Sequence, residues 1–176
     1  MKAKAILPLV LILSGCGAND DGGILASSSG LSGSWISDCQ EFTDQYNEGS
    51  FVGSFTWEEE FYSDEIDSSM RIYDDENCQG NPIITKKMMG SFDLGDKFTD
   101  ESGVEGQKIN FHYESESVVG SHPNIDTVNL GMPTPSIYLD IFYIGGTNLY
   151  YGDYLTGSGI SERPTRLDLE YPYRKR

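Results

Sequence analysis

The chain has 176 residues, 28 of them acidic and 12 basic, for a formal net charge of −16. That balance excludes a nucleic-acid binder, which needs a basic stripe to displace phosphate counterions, and a polybasic anchor on anionic lipid. With 38% hydrophobic and 12% aromatic residues, the chain is too rich in core-forming side chains for a disordered acidic polymer, and its length suits one domain with a tail.

Lys2 and Lys4 precede an apolar run, Ile6 to Leu13, interrupted by Pro8. A helix needs roughly 20 apolar residues to cross a bilayer, so this run predicts a secretory signal rather than a span. Leu13-Ser14-Gly15-Cys16 resembles a bacterial lipobox, which implies a lipoprotein signal peptide over residues 1–15. The Cys16 thiol then carries a diacylglycerol and the freed amine a further acyl chain such as palmitate. Each buried CH₂ contributes about 0.8 kcal/mol, so several chains make a durable anchor. An ordinary signal peptide with an incidental Cys is the alternative. Losing Lys2 and Lys4 with the signal takes the basic residues from 12 to 10 and the formal charge from −16 to −18. Gly17, rather than Asp, after the lipidated Cys resembles the sorting pattern that sends Gram-negative lipoproteins to the outer membrane. Residues 16–30, Gly/Ser-rich and polar from Asn19 onward, predict a flexible tether, and residues 31–176 a folded domain.

That domain reads as all-β. No Ala occurs from Ser27 to Arg176, a strong signal against helices because Ala is the best helix former. Gly33–Ser37 predicts the first strand. In Ser50–Tyr62, Phe51, Phe55, Trp57 and Phe61 share one parity, while Ser54, Thr56, Glu58 and Glu60 share the other. This is the period-2 pattern of a strand with one buried face. Met70 and Ile72, the stretch Ile83–Phe92, the trio Ile109, Phe111 and Tyr113, and the set Ile137, Leu139, Ile141 and Tyr143 continue the pattern. Leu149–Leu155 and Leu167–Tyr173 complete it. About eight antiparallel strands close into a small barrel or, as second choice, form a sandwich; a barrel leaves no exposed edge to aggregate. Ser117–Ser136, with three Pro and two Gly, reads as a long loop, either functional or a plain surface crossover. The basic tail Tyr173–Arg176 reads as a solubilising end, with contact to anionic headgroups or to the protein's own acidic surface as the alternatives.

Cys39 and Cys78 remain once Cys16 is acylated. In an oxidising compartment such a pair is normally a disulfide; a metal pair completed by His112 or His122 is the alternative, though without CxxC spacing. Glu59 shares the parity of Phe55, Trp57 and Phe61. Either it lies among the inward aromatics and needs a partner or a raised pKa, with Lys86 or Lys87 as that partner, or a β-bulge in Glu58–Glu60 turns it outward.

Gly33-x-Trp35 resembles the G-x-W of lipocalins, and the longer pattern through Ser37 and Cys39 to Tyr73-Asp74-Asp75-Glu76-Asn77-Cys78 resembles uncharacterised lipocalin-like bacterial envelope lipoproteins. Leu149 to Tyr173 carries the likeness to the end of the domain. The resemblance implies a lipocalin-like closed barrel whose Gly33 and Trp35 are the fold signature, Trp35 plugging the closed end against Arg163 or Arg166.

No GxSxG, HExxH, Walker A or GxGxxG motif occurs, so no catalytic residue, metal ligand or cofactor is expected. Acidic groups at Glu58–Glu60, Asp74–Glu76 and Asp93–Glu101 read as solvated surface. The expected function is therefore a non-enzymatic, lipid-anchored envelope binding module for a small apolar ligand. Phe55, Trp57, Ile109, Phe111, Leu139 and Ile141 are its candidate lining. The alternative is an envelope interaction module or inhibitor whose negative charge attracts a basic protein such as a lysozyme.

Overall fold

A computed structural model of the chain describes residues 28–44, 50–123, 136–157 and 159–176. The signal peptide, the lipidation residue Cys16 and nearly all of the tether lie outside the described residues, as does the stretch 124–135 of the Pro/Gly loop.

A single helical turn, α1 (Ser28–Leu31), leads into nine strands: β1 (Gly33–Ser37), β2 (Gln40–Asp44), β3 (Ser50–Tyr62), β4 (Glu65–Tyr73), β5 (Ile84–Thr99), β6 (Glu105–Gly120), β7 (Ser136–Gly145), β8 (Asn148–Tyr151) and β9 (Tyr173–Lys175). Every pairing is antiparallel, each strand from β3 to β8 lying beside the next. β9 joins β8 to β1, and β1 pairs with β3. Eight strands thus close into a lipocalin-like barrel, not a sandwich, and β2 is an extra strand alongside β3. β3 serves two neighbours in turn: Ser50–Phe55 pairs with β2 and Glu58–Phe61 with β1. β1 and β2 are two legs of one interrupted edge, broken at Asp38-Cys39.

Period-2 alternation decides which side chains enter the barrel. One end is filled by Leu31, Trp35, Phe61, Ile66, Phe92 and Phe142, all but Phe92 at most 1% exposed. Phe61 and Phe92 meet edge to face, their centroids 5.2 Å apart, the arrangement ring quadrupoles prefer.

The two signature residues have distinct physical roles. Gly33 adopts φ +108°, a region closed to residues with a Cβ, which turns the chain from α1 into the barrel wall. Trp35 is buried, and its Nε1–H donates to Leu31 O at 2.6 Å, so the indole holds α1 as a plug. The cation over its ring is Lys175, with Nζ 5.2 Å from the centroid, and not Arg163 or Arg166. Those two are engaged elsewhere: Arg166 with Asp153, and Arg163 with Ile109 O, Asp140 O and Asn110 Oδ1.

Other differences from the sequence pattern have local causes. Leu167 makes one bridge to Gly152, and regular pairing resumes only at Tyr173. Pro164 and Pro172 bracket this stretch, and each lacks the N–H a ladder requires. The basic tail is a structural strand: it closes the ring, with Arg174 on Asp38 and Arg176 on Glu58, each at 2.8 Å. β8 stops at Tyr151 because Asp153 caps a 3₁₀ turn, Tyr154–Thr156, accepting from Leu155 N at 2.9 Å. β6 runs on to Gly120, taking up the start of the predicted loop.

Cys39 and Cys78 form a disulfide, Cα to Cα 5.7 Å. It ties the β1–β2 break to the turn after β4, where Cys78 N–H donates to the buried Ser54 Oγ at 3.1 Å. The bridge joins residues 39 positions apart, and loop-closure entropy for that length corresponds to about 4 kcal/mol. Replacing both cysteines by Ser is expected to lower the unfolding free energy by about that amount. Equilibrium denaturation of oxidised wild type and variant measures it, and equal midpoints would refute it.

Candidate functional site

Above the packed end the barrel is hollow. A partly open cavity of about 440 Å³ is walled by Phe55, Trp57 and Glu59 of β3, Lys86 of β5, and Phe111 and Tyr113 of β6. Tyr138 and Asp140 of β7, Tyr151 of β8, Gly152, Tyr154 and Tyr173 of β9 complete the wall. Tyr154, on the 3₁₀ turn, is 70% exposed and stands where the cavity meets solvent.

The register of β3 against β4 is unbroken from Ser54 to Tyr62, so no bulge turns Glu59 outward and alternation carries it inside. It is 4% exposed. Its partners are aromatic rather than either lysine: Trp57 Nε1–H donates to Oε1 at 3.1 Å, and the Tyr151 hydroxyl donates to Oε2 at 2.5 Å. Lys86 lies in the same cavity wall, 2% exposed, with Nζ 3.6 Å from Glu116 Oε2. Burial drives the Lys86 pKa down, against the pull of Glu116. Burial also raises the Glu59 carboxyl to about 7, its two hydrogen bonds acting in the other direction.

Asp140 is a second buried carboxyl, 6% exposed. Its Oδ1 accepts from Ile141 N at 2.7 Å and Gly152 N at 3.0 Å. Gly152 is required there, because a Cβ on it would lie 2.7 Å from Asp140 Oδ1 and 2.4 Å from the Pro164 ring. Burial raises Asp140 to about 7 as well; the backbone donors lower it, while the Glu59 charge adds to the rise.

The rings form a continuous lining. Tyr151 stands edge-on to Tyr173, with centroids 5.2 Å apart and planes at 90°, and edge-on to Phe111 at 6.0 Å. Phe111 stacks on Tyr113 at 5.9 Å, and the Tyr113 hydroxyl is 3.2 Å from Ser68 Oγ. Burial pushes the hydroxyls of Tyr113, Tyr138, Tyr151 and Tyr173 well above the ordinary tyrosine range, so they remain protonated donors.

Three of the expected lining residues, Phe55, Trp57 and Phe111, stand in the cavity wall. Ile109 points inward at a lower level and belongs to the packed core. Leu139 and Ile141 are outside the lining, because β7 presents the opposite parity inward: Tyr138, Asp140, Phe142 and Ile144 face the core or cavity. Both parities of β7 are largely apolar because the segment after β8 runs beside the strand. Leu139 N donates to Gly159 O at 2.6 Å, and Arg163 reaches Asp140 O. Tyr113 and Tyr173 carried a usable signal, sharing the inward parity of Ile109 with Phe111 and of the β9 approach. Asp140 carried none, since its polarity argued for the outer face.

His112 is on the outside, 2.5 Å from Asp93 Oδ2, and this bond is the main cause lowering the Asp93 pKa. Among the described residues no group of three His, Cys, Asp or Glu converges to hold a metal ion. No protein-family model matches the chain, and no curated protein matches it either. The fold defines its class, a closed lipocalin-like barrel with an aromatic and acidic cavity.

The two acids set a pH dependence. Folded Glu59 and Asp140 hold protons up to about pH 7, whereas their ordinary values are 4.5 and 3.8. Between those limits the folded state binds more protons, so their contribution to stability falls as pH rises and levels off above 7. Glu59→Gln is therefore expected to gain stability relative to wild type between pH 5 and pH 8, by up to roughly 3 kcal/mol. Denaturant unfolding at both pH values checks it; a pH-independent difference would count against buried, protonated Glu59.

Proposed function

We propose that this protein is a lipid-anchored component of the bacterial envelope, held at the outer membrane by acyl chains on Cys16. Its barrel binds one small amphipathic ligand without chemical turnover. The observation that carries the reading is the cavity itself. Its volume of about 440 Å³ falls within the range of roughly 300–1,000 Å³ typical of small-molecule sites, and it has their usual make-up of mostly aromatic walls with few polar groups. Eight-stranded barrels are wide enough either to fill with side chains or to hold one small ligand; here the lower half is filled and the upper half is not. The lipobox pattern and the disulfide, which suits an oxidising compartment, support the address.

A second reading, attraction of a basic protein partner, draws on the exposed carboxylates Glu60, Asp64, Glu65 and Asp67 around the β3–β4 hairpin. Salt-sensitive capture of lysozyme by the soluble domain is its test, and capture indifferent to salt or absent removes it.

The cavity reading is tested by titrating the soluble domain with the neutral fluorophore 1-aminoanthracene. Saturable uptake of one dye per chain is expected, with quenching of indole fluorescence that is lost in Trp57→Phe, since Trp35 is sealed at the other end. Failure to take up dye would overturn the binding-module reading. Separately, labelled palmitate is expected to enter the full chain in a Gram-negative host and to be lost in Cys16→Ser, which would appear in the soluble fraction. A labelled Cys16→Ser protein would overturn the anchor.

A further inference from the structure

An apolar ligand explains the rings of this cavity but not its acids. Glu59 and Asp140 are both more than nine-tenths buried, at a desolvation cost that no purely apolar occupant offsets. The charge inside is lopsided. The lining carries two carboxyls, Glu59 and Asp140, against one ammonium, Lys86, whose Nζ also lies 3.6 Å from Glu116 Oε2. Arg163 attracts Asp140 through space, but it lies outside the cavity lining and its hydrogen bonds go to Ile109 O, Asp140 O and Asn110 Oδ1. Asp140 Oδ1 accepts from two N–H groups. Around these acids stand Trp57, Phe111, Tyr138 and Tyr151, whose faces carry negative quadrupole potential and attract cations, most strongly when water is excluded.

Resting on the proposed cavity function, we propose that the ligand is a small organic ammonium ion, its cationic head set against the Glu59 and Asp140 carboxyls and its alkyl or aryl body against the rings. Anionic ligands meet two acids. A metal ion would need a convergent donor set, which the described residues do not provide, and it would gain nothing from ring faces that a compact, strongly hydrated ion cannot approach. A substituted ammonium combines weak hydration with apolar bulk, and this wall of rings with recessed carboxyls solvates both parts.

The test uses a matched pair of probes with nearly the same shape, one cationic and one uncharged: benzyltrimethylammonium and its neutral carbon isostere, neopentylbenzene. Each displaces 1-aminoanthracene from the soluble domain at pH 8. The ammonium is expected to bind at least about tenfold tighter than the isostere. Glu59→Gln and Asp140→Asn are each expected to remove most of that preference, read as the ratio of the two probes' affinities within the same variant. Circular dichroism and dye uptake confirm that each variant is folded, and the wild-type comparison stands without them. Equal affinity for the two probes overturns the ammonium reading and leaves the cavity reading in place, as does a preference that survives both substitutions. A protein that takes up neither probe nor dye fails both readings.

Discussion

The fold depends on a short strand that must pair on both sides. β1 is five residues long, yet it alone joins the last strand of the ring to β3, and without it the ring is open between β9 and the Glu58–Phe61 stretch of β3. Its hydrogen bonds are few, so closure relies on what surrounds them. Trp35 projects from β1 into the packed end, Lys175 of β9 lies over the indole, Arg174 pairs with Asp38 just past β1, and Arg176 pairs with Glu58 of β3. Exposed ion pairs contribute little singly. Their value here is positional: three consecutive basic residues fix the register of β9 against an acidic wall, and the indole fixes how far β1 enters.

Closure at that end allows incompleteness at the other. Once Trp35, Phe61 and Phe142 have filled the base, the upper barrel has no need of further apolar volume for cohesion and instead accommodates polar groups. Glu59 and Asp140 are destabilising in the unliganded protein at neutral pH, since each must either hold a proton or sit ionised in an apolar site. Residues selected only for folding would be apolar here. Buried titratable groups tend to gather at functional positions, and their placement on rigid strands, braced by Trp57, Tyr151 and the Gly152 amide, is what precise recognition requires.

The strand pattern was legible where one face of a strand is wet and the other dry. β3 follows its alternation from Glu58 to Tyr62, whereas Ser54 and Thr56, on its polar parity, are buried, and Glu59 could be assigned to the interior by parity once a bulge was excluded by the ladder itself. β7 was illegible for the complementary reason. The segment beyond β8 lies beside it, so Leu139 and Ile141 are as apolar as Phe142 and Ile144, and parity alone cannot say which pair faces in. β9 was hidden by its charge. Arginine and lysine near a chain's end suggest solubility, and only the acidic wall opposite, assembled from Asp38 and Glu58, gives those charges a structural purpose. The Trp35 partner failed to follow the lipocalin expectation through the same substitution of position: a cation was anticipated from the segment before β9, and β9 itself supplied it. Asp140 shows the limit of pattern reading, because a buried polar side chain breaks the pattern that would locate it.

The disulfide has a meaning beyond the loop it closes. Cys39 adjoins Gln40, which pairs with Phe55 in the cavity wall, and Cys78 is bonded to Ser54 beside the same ring. The covalent link therefore rivets the rim at the point where the barrel edge is interrupted and would otherwise be slack. A rim made rigid during folding does not have to be ordered by the proposed ligand, so for that ligand the entropy of shaping the entrance is lost beforehand rather than deducted from its affinity.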